Sequence, residues 1–96
     1  MSRAVLIVED EPDQNEMLAQ LVARRGFNVV QTYTGKDGVT KARENPPDLL
    51  LLDLMLPDID GFEVCESLRR SRDTNLIPVV MATQLTDNKR RLQGYR

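Results

Sequence analysis

Residues 49–61 read LLLLDLMLPDIDG. Four leucines run straight into Asp53, and apolar character resumes as far as Leu56 before Pro57, two further acids and Gly61 break it. A short apolar run bounded by turn formers has the profile of a strand buried on both faces. Burying a carboxylate with no partner costs several kcal/mol. Asp53 therefore needs a counter-charge or a chemical use, and the rest of the chain has to supply it.

The same signature recurs outward from this stretch. Residues 4–8, AVLIV, form another apolar run, followed at once by EDEPD. Pro12 suits the first turn of a helix, and the acids beside it suit the positive end of the helix dipole. Met17, Leu18, Leu21 and Val22 fall at helical spacing, predicting that helix's buried stripe, and Gly26 closes it. Residues 27–33 read as a second strand. Thr34, with Asp37 three residues on, imitates a capping box and opens a short helix that ends at Pro46 and Pro47. Beyond residues 49–61, Phe62, Cys65 and Leu68 predict one face of a third helix. Residues 77–83, IPVVMAT, predict a fourth strand, and residues 86–94 a last helix.

Strands that alternate with helices and are themselves apolar throughout predict an α/β fold, a doubly wound parallel sheet, as one domain over residues 1–96. Crossovers in such sheets are right-handed. Ligands bind beyond the carboxyl ends of the strands, near the point where strand order reverses.

Bulk composition narrows the function classes. The chain has 96 residues, 41% hydrophobic and 29% charged, as an ordinary globular domain would. A single cysteine, Cys65, cannot form an internal disulfide, which points to a reducing, cytoplasmic setting. No stretch resembles a signal peptide or a membrane span. The formal net charge of −2 hides a split, −6 over residues 1–63 and +4 over residues 64–96. The later bases fall as Arg69, Arg70, Arg72 and Lys89, Arg90, Arg91, where helix ends and solvated faces are expected. Few aromatic residues accompany them, so direct nucleic-acid binding is not expected.

Chemistry collects at the carboxyl ends of the predicted strands. Glu9 and Asp10 follow the first, Asp53 the third, and Thr83 closes the fourth. If the first and third strands are neighbours, three carboxylates converge and oppose one another's ionisation. A divalent cation resolves that conflict, and Mg²⁺ favours one or two carboxylates together with waters and a phosphate oxygen. Thr83 offers a hydroxyl to an oxygen of a phosphoryl group carried on Asp53. An ionised aspartate is a competent nucleophile toward phosphorus. Asp53 is thus the predicted landing point of a phosphoryl group.

VLIVEDEP at residues 5–12, LLLLDLMLPDIDGFEV at 49–64 and PVVMAT at 78–83 together resemble the receiver domain of bacterial two-component response regulators. The resemblance covers essentially the whole chain. It implies a flavodoxin-like sheet of order 2-1-3-4-5, a phosphoacceptor function in signal transduction rather than turnover of a separate substrate, and a phosphohistidine donor on a sensor histidine kinase or phosphotransfer protein. Glu9 and Asp10 would hold Mg²⁺, Asp53 would accept the phosphoryl group, Met55 would lend a backbone carbonyl to the metal, and Thr83 would be the switch hydroxyl. Pro57 and Gly61 match the family's loop after the phosphorylated strand. Since the chain has no histidine, the donor is external.

Two departures bear on function. Gln84 stands where the family usually has a small residue after the switch hydroxyl. The family's fifth strand, with its lysine, and fifth helix have no counterpart in these 96 residues, so the receiver domain reads as C-terminally incomplete. Lys89 is not at the lysine's position. The expectation is a fourth strand at a sheet edge, apolar surface uncovered on one face of strands one and three, and self-association or completion of the sheet by another segment. Two rivals remain at this point: a pseudo-receiver that acts as a phosphorylation-independent interaction module, and a Mg²⁺-dependent phosphatase with an aspartyl nucleophile. The second is disfavoured by Met55, since such enzymes commonly need a second acid near the nucleophile.

Overall fold

A computed structural model describes residues 3–53 and 55–81. The order of elements is β1 (Ala4–Val8), α1 (Pro12–Arg24), β2 (Asn28–Thr32), α2 (Gly35–Glu44), β3 (Leu49–Leu52), α3 (Gly61–Arg69) and β4 (Val79–Met81). Among the described residues the four strands form one parallel sheet in the order β2-β1-β3-β4. The predicted doubly wound α/β architecture is therefore present, with β1 and β3 side by side at its centre. Residues 82–96, which include Thr83, Gln84 and the predicted helix over 86–94, lie outside the described residues.

Period-two alternation divides each central strand between two layers. Leu6 and Val8 of β1 and Leu50 and Leu52 of β3 point to one face, where they pack with Val39 and Ala42 of α2, Val64 and Leu68 of α3, and Ile77. Val5 and Ile7 point to the other face, against Ala19 of α1, with Leu18, Val22, Phe27, Val29, Leu49 and Leu51 half-buried around them. On this second face an open cleft of about 280 Å³ is lined by Val5, Leu21, Val22, Phe27, Leu49 and Leu51 together with Arg25. Among the described residues, Val5 and Ile7 of β1 are buried on this face, while Leu49 and Leu51 of β3 are half-buried beside the cleft. Val80 and Met81 of β4 are exposed.

Local signals place the helices. α1 begins with Pro12 in its first turn, and Gly26 takes φ +93° just beyond its end, a conformation that favours glycine. Thr34 caps α2 by accepting the Asp37 N–H, as predicted. α3 carries a full capping box, with Asp60 and Glu63 each accepting the other's backbone N–H. At its far end the buried Thr74 hydroxyl donates to the Leu68 carbonyl, and the Arg69 guanidinium donates to the carbonyls of Asn75 and Ile77.

Four expectations need correction. The inward stripe of α1 is Asn15, Leu18, Ala19 and Val22, whereas Met17 and Leu21 are 41% and 51% exposed. Small Ala19 permits close approach to β1, and Asn15 is drawn inward by hydrogen bonds that hydrophobic spacing does not register. In α3 the buried positions are Gly61, Val64 and Leu68; Phe62, one residue round the helix from Gly61, is 67% exposed. The second strand is shorter than 27–33, and pairing in the fourth is assigned from Val79, after Pro78, whose ring has no N–H to contribute.

Candidate functional site

The parallel ladders carry two acids past the ends of their strands. The Asp53 N–H donates to the Val8 carbonyl at 3.0 Å, one step beyond the paired residues of β1 and β3. The Glu9 N–H likewise donates to the Thr32 carbonyl at 3.1 Å at the end of β2. Adjacent parallel strands lie under 5 Å apart, so the side chains that leave these ends are brought together. Carboxylate oxygens of Glu9, Asp10 and Asp53 lie within 4.8 Å of one another. Glu9 and Asp53 are each only 1% exposed, and Asp10 lies at the opening.

Backbone N–H groups orient the carboxylates. Glu9 Oε2 accepts from the Glu11 N–H at 2.9 Å, and Asp53 Oδ1 from the Met55 N–H at 3.1 Å. The electrostatics are those of crowded like charges. Burial pushes the Glu9 carboxyl from 4.5 up to about 7; the Glu11 N–H works against that, while the charge of Asp53 and the carboxyl of Asp10 add to it. A group this disfavoured as an anion, with two more carboxylates beside it, fits a hard divalent cation: the donors are all oxygen and the cation would relieve their repulsion. The donor set therefore matches Mg²⁺.

The loop that follows β3 is fastened to α2. Asp58 accepts the N–H groups of Gly35 and Lys36, both at 2.9 Å, at the start of α2. Some desolvation raises the Asp58 carboxyl, yet the N–H groups of Lys36, Gly35 and Ile59 outweigh it and hold the group below its usual value. Ile59 from this loop closes over Gly35, where an added Cβ would lie 2.5 Å from Ile59 Cγ1. α2 is held equally close to β1 at Gly38, whose Cβ would lie 2.6 Å from Cγ2 of Val8, the residue before Glu9.

Of the residues singled out from sequence, Glu9, Asp10 and Asp53 converge, and Met55 sits beside them through its N–H. Thr83 lies outside the described residues. Two further residues near the strand ends and the following loop are not singled out by sequence pattern. Asp58 reads as one more loop acid, and its contact with the start of α2 leaves no trace in the spacing of residues. Asn15, fully buried on α1, donates to the Glu9 carbonyl at 2.9 Å and the Thr32 carbonyl at 2.8 Å. Its only trace in the sequence is a polar residue four positions before Ala19 on the inward face.

Residues 5–96 match the response regulator receiver domain family. The chain belongs to that family. It is 40% identical over 91 residues to the DNA-binding dual master transcriptional regulator RpaA of Synechocystis, which covers 95% of this chain and 38% of RpaA. It is 32% identical over 92 residues to protein PilH of Pseudomonas aeruginosa, covering 96% of this chain and 76% of PilH. The crystal structure of the N-terminal domain of a response regulator receiver protein from Methanoculleus marisnigri superposes with a TM-score of 0.77 at 28% identity, covering 92% of this receiver and 76% of that one. The receiver thus spans little more than a third of RpaA and about three quarters of PilH. No helix among its described residues is long and apolar enough to cross a membrane.

Proposed function

We propose that this receiver is a Mg²⁺-dependent phosphoacceptor that takes a phosphoryl group on Asp53 from a phosphohistidine of a sensor histidine kinase or phosphotransfer protein. The observation that carries the reading is the convergence of Glu9, Asp10 and Asp53 at the carboxyl ends of β1 and β3, in a chain of the receiver family. Glu9, Asp10 and Asp53 are the carboxylates that would hold the metal, with the backbone carbonyl of Met55 as a further oxygen. Mg²⁺ bound there supplies charge neutralisation and polarises the phosphoryl oxygens.

In the transfer, a carboxylate oxygen of Asp53 attacks phosphorus while the bond from phosphorus to the donor's imidazole nitrogen breaks. The electron pair of that bond stays on the ring nitrogen, and the product is an acyl phosphate. The Met55 N–H on Oδ1 limits rotation of the attacking carboxylate, so it is presented in one orientation. Burial strips water from the carboxylate and strengthens each interaction that the incoming phosphoryl group makes. Thr83, at the end of the fourth predicted strand, is assigned the role of hydroxyl donor to the transferred group, biasing a two-state switch.

The module acts on no separate substrate in this reading, and direct contact with nucleic acid is left out of it. Arg69 is occupied with the carbonyls of Asn75 and Ile77, and Arg70, just past the end of α3, pairs with Glu66 of that helix. A cytoplasmic location, where such donors present their phosphohistidines, suits it. The test is intact mass after incubation with acetyl phosphate and Mg²⁺. The wild type should gain one phosphoryl mass that hydroxylamine removes; equal labelling of Asp53→Asn would refute the assignment.

A further inference from the structure

We infer that Asn15 is a positioning residue for the acidic centre, holding Glu9 in the place where its carboxylate meets those of Asp10 and Asp53; this rests on reading that centre as a Mg²⁺ site. Both hydrogens of the Asn15 amide are spent at the same spot. One goes to the Glu9 carbonyl at 2.9 Å and the other to the Thr32 carbonyl at 2.8 Å. The Thr32 carbonyl also accepts the Glu9 N–H at 3.1 Å. The peptide groups on either side of Glu9 are therefore closed into one ring, N–H to Thr32, amide to Thr32, amide to Glu9. With the Glu11 N–H on Oε2, Glu9 is anchored at its N–H, its carbonyl and its carboxylate.

The amide is itself oriented. Its oxygen accepts from Gln31 Nε2 at 2.9 Å, and the same Gln31 nitrogen donates to Glu16 at 3.3 Å. That bond selects the amide orientation in which nitrogen faces the two carbonyls. Asn15 is fully buried, so water cannot replace the bonds that it makes. Glu9 follows the last paired residue of β1, where ladder bonds run out. Without the amide, the strand end would relax and the three carboxylates would lose their shared focus. Groups that orient metal ligands commonly change metal affinity by 10- to 100-fold.

The experiment is a Mg²⁺ titration of the full chain by calorimetry, with wild type, Asn15→Ala, Gln31→Ala and Ile77→Val each at a temperature where circular dichroism shows it folded. Ile77→Val is a core change on the opposite layer and controls for lost stability. Mg²⁺ affinity should fall about tenfold in Asn15→Ala, by about threefold in Gln31→Ala, which removes the one hydrogen bond that orients the Asn15 amide, and not at all in Ile77→Val. Should Asn15→Ala fail to fold, the half-buried Gln31 decides the matter. Unchanged Mg²⁺ affinity in Gln31→Ala, or in a folded Asn15→Ala, would overturn the inference and leave the metal site standing. A wild type that takes up no Mg²⁺ would instead overturn the metal reading itself.

Discussion

Replacing Glu9 by glutamine should change how the stability of the metal-free receiver depends on pH. The side chain is almost wholly buried, and burial beside Asp53 and Asp10 raises its carboxyl from 4.5 to about 7. The folded state therefore keeps a proton between pH 4.5 and 7 that the unfolded state has released. Where the native state binds more protons, stability falls as pH rises. Stability from this group is complete below pH 4.5 and is lost as pH climbs through 7. The shift corresponds to at most roughly 3 kcal/mol at 1.36 kcal/mol per unit. Glu9→Gln keeps the volume and an acceptor for the Glu11 N–H but cannot titrate. In chelator, its melting temperature should rise relative to wild type between pH 5 and pH 8, by on the order of 10 °C for a domain of this size. Millimolar Mg²⁺ should narrow the gap at pH 8, because the ionised wild-type carboxylate then gains a partner that binds only the folded state. Thermal melts by circular dichroism across that range decide it. A gap between the two proteins that does not vary with pH would show that Glu9 is not the strained acid described here.

Three other outcomes follow from the packing around the site. Gly38→Ala gains about 1 kcal/mol of helix propensity, but its Cβ would meet buried Val8 at 2.6 Å, so denaturant melts should show a net loss of about 1–2 kcal/mol; a stabilised variant would mean that α2 can lift off β1 freely. Asp58→Ala removes the acceptor for the Gly35 and Lys36 N–H groups and should lower stability by about 1 kcal/mol, with Asp58→Asn losing less. Among the described residues β4 lies at the sheet edge and carries no charge, and a cleft with apolar lining opens beside β3, so the chain should self-associate at micromolar concentration in sedimentation velocity; a single monomeric species would show that this apolar surface is tolerated.

The parts of the fold that were legible in the sequence are those governed by burial on both faces. β1 and β3 carry so many apolar residues in so few positions that their boundaries match residue for residue, and the acids at their ends fix the site. Thr34 and Asp37 were equally plain, because a cap is a local device with local residues. Helix facing was not legible where hydrogen bonds decided it. Hydrophobic spacing favoured Met17 and Leu21 over Asn15, since counting apolar residues gives no credit to a buried amide whose donors are both satisfied. Phe62 misled in the same way: bulk suggested burial, but the layer between α3 and the sheet is filled by Val64 and Leu68. Asp58 could not be distinguished from its acidic neighbours, because what sets it apart is its contact with the α2 N-terminus, 22 and 23 residues away in sequence.

Trapping the acyl phosphate tests, at the level of a single residue, whether Asp53 receives the phosphoryl group. Borohydride reduces an aspartyl phosphate to homoserine while leaving free carboxylates untouched. The wild-type receiver, phosphorylated with acetyl phosphate and Mg²⁺, reduced and digested, should carry homoserine at position 53 alone, and chelation of Mg²⁺ before phosphorylation should abolish it. Homoserine at position 10, 5-hydroxynorvaline at position 9, or no homoserine at position 53 in protein that has gained a phosphoryl mass, would contradict the assignment.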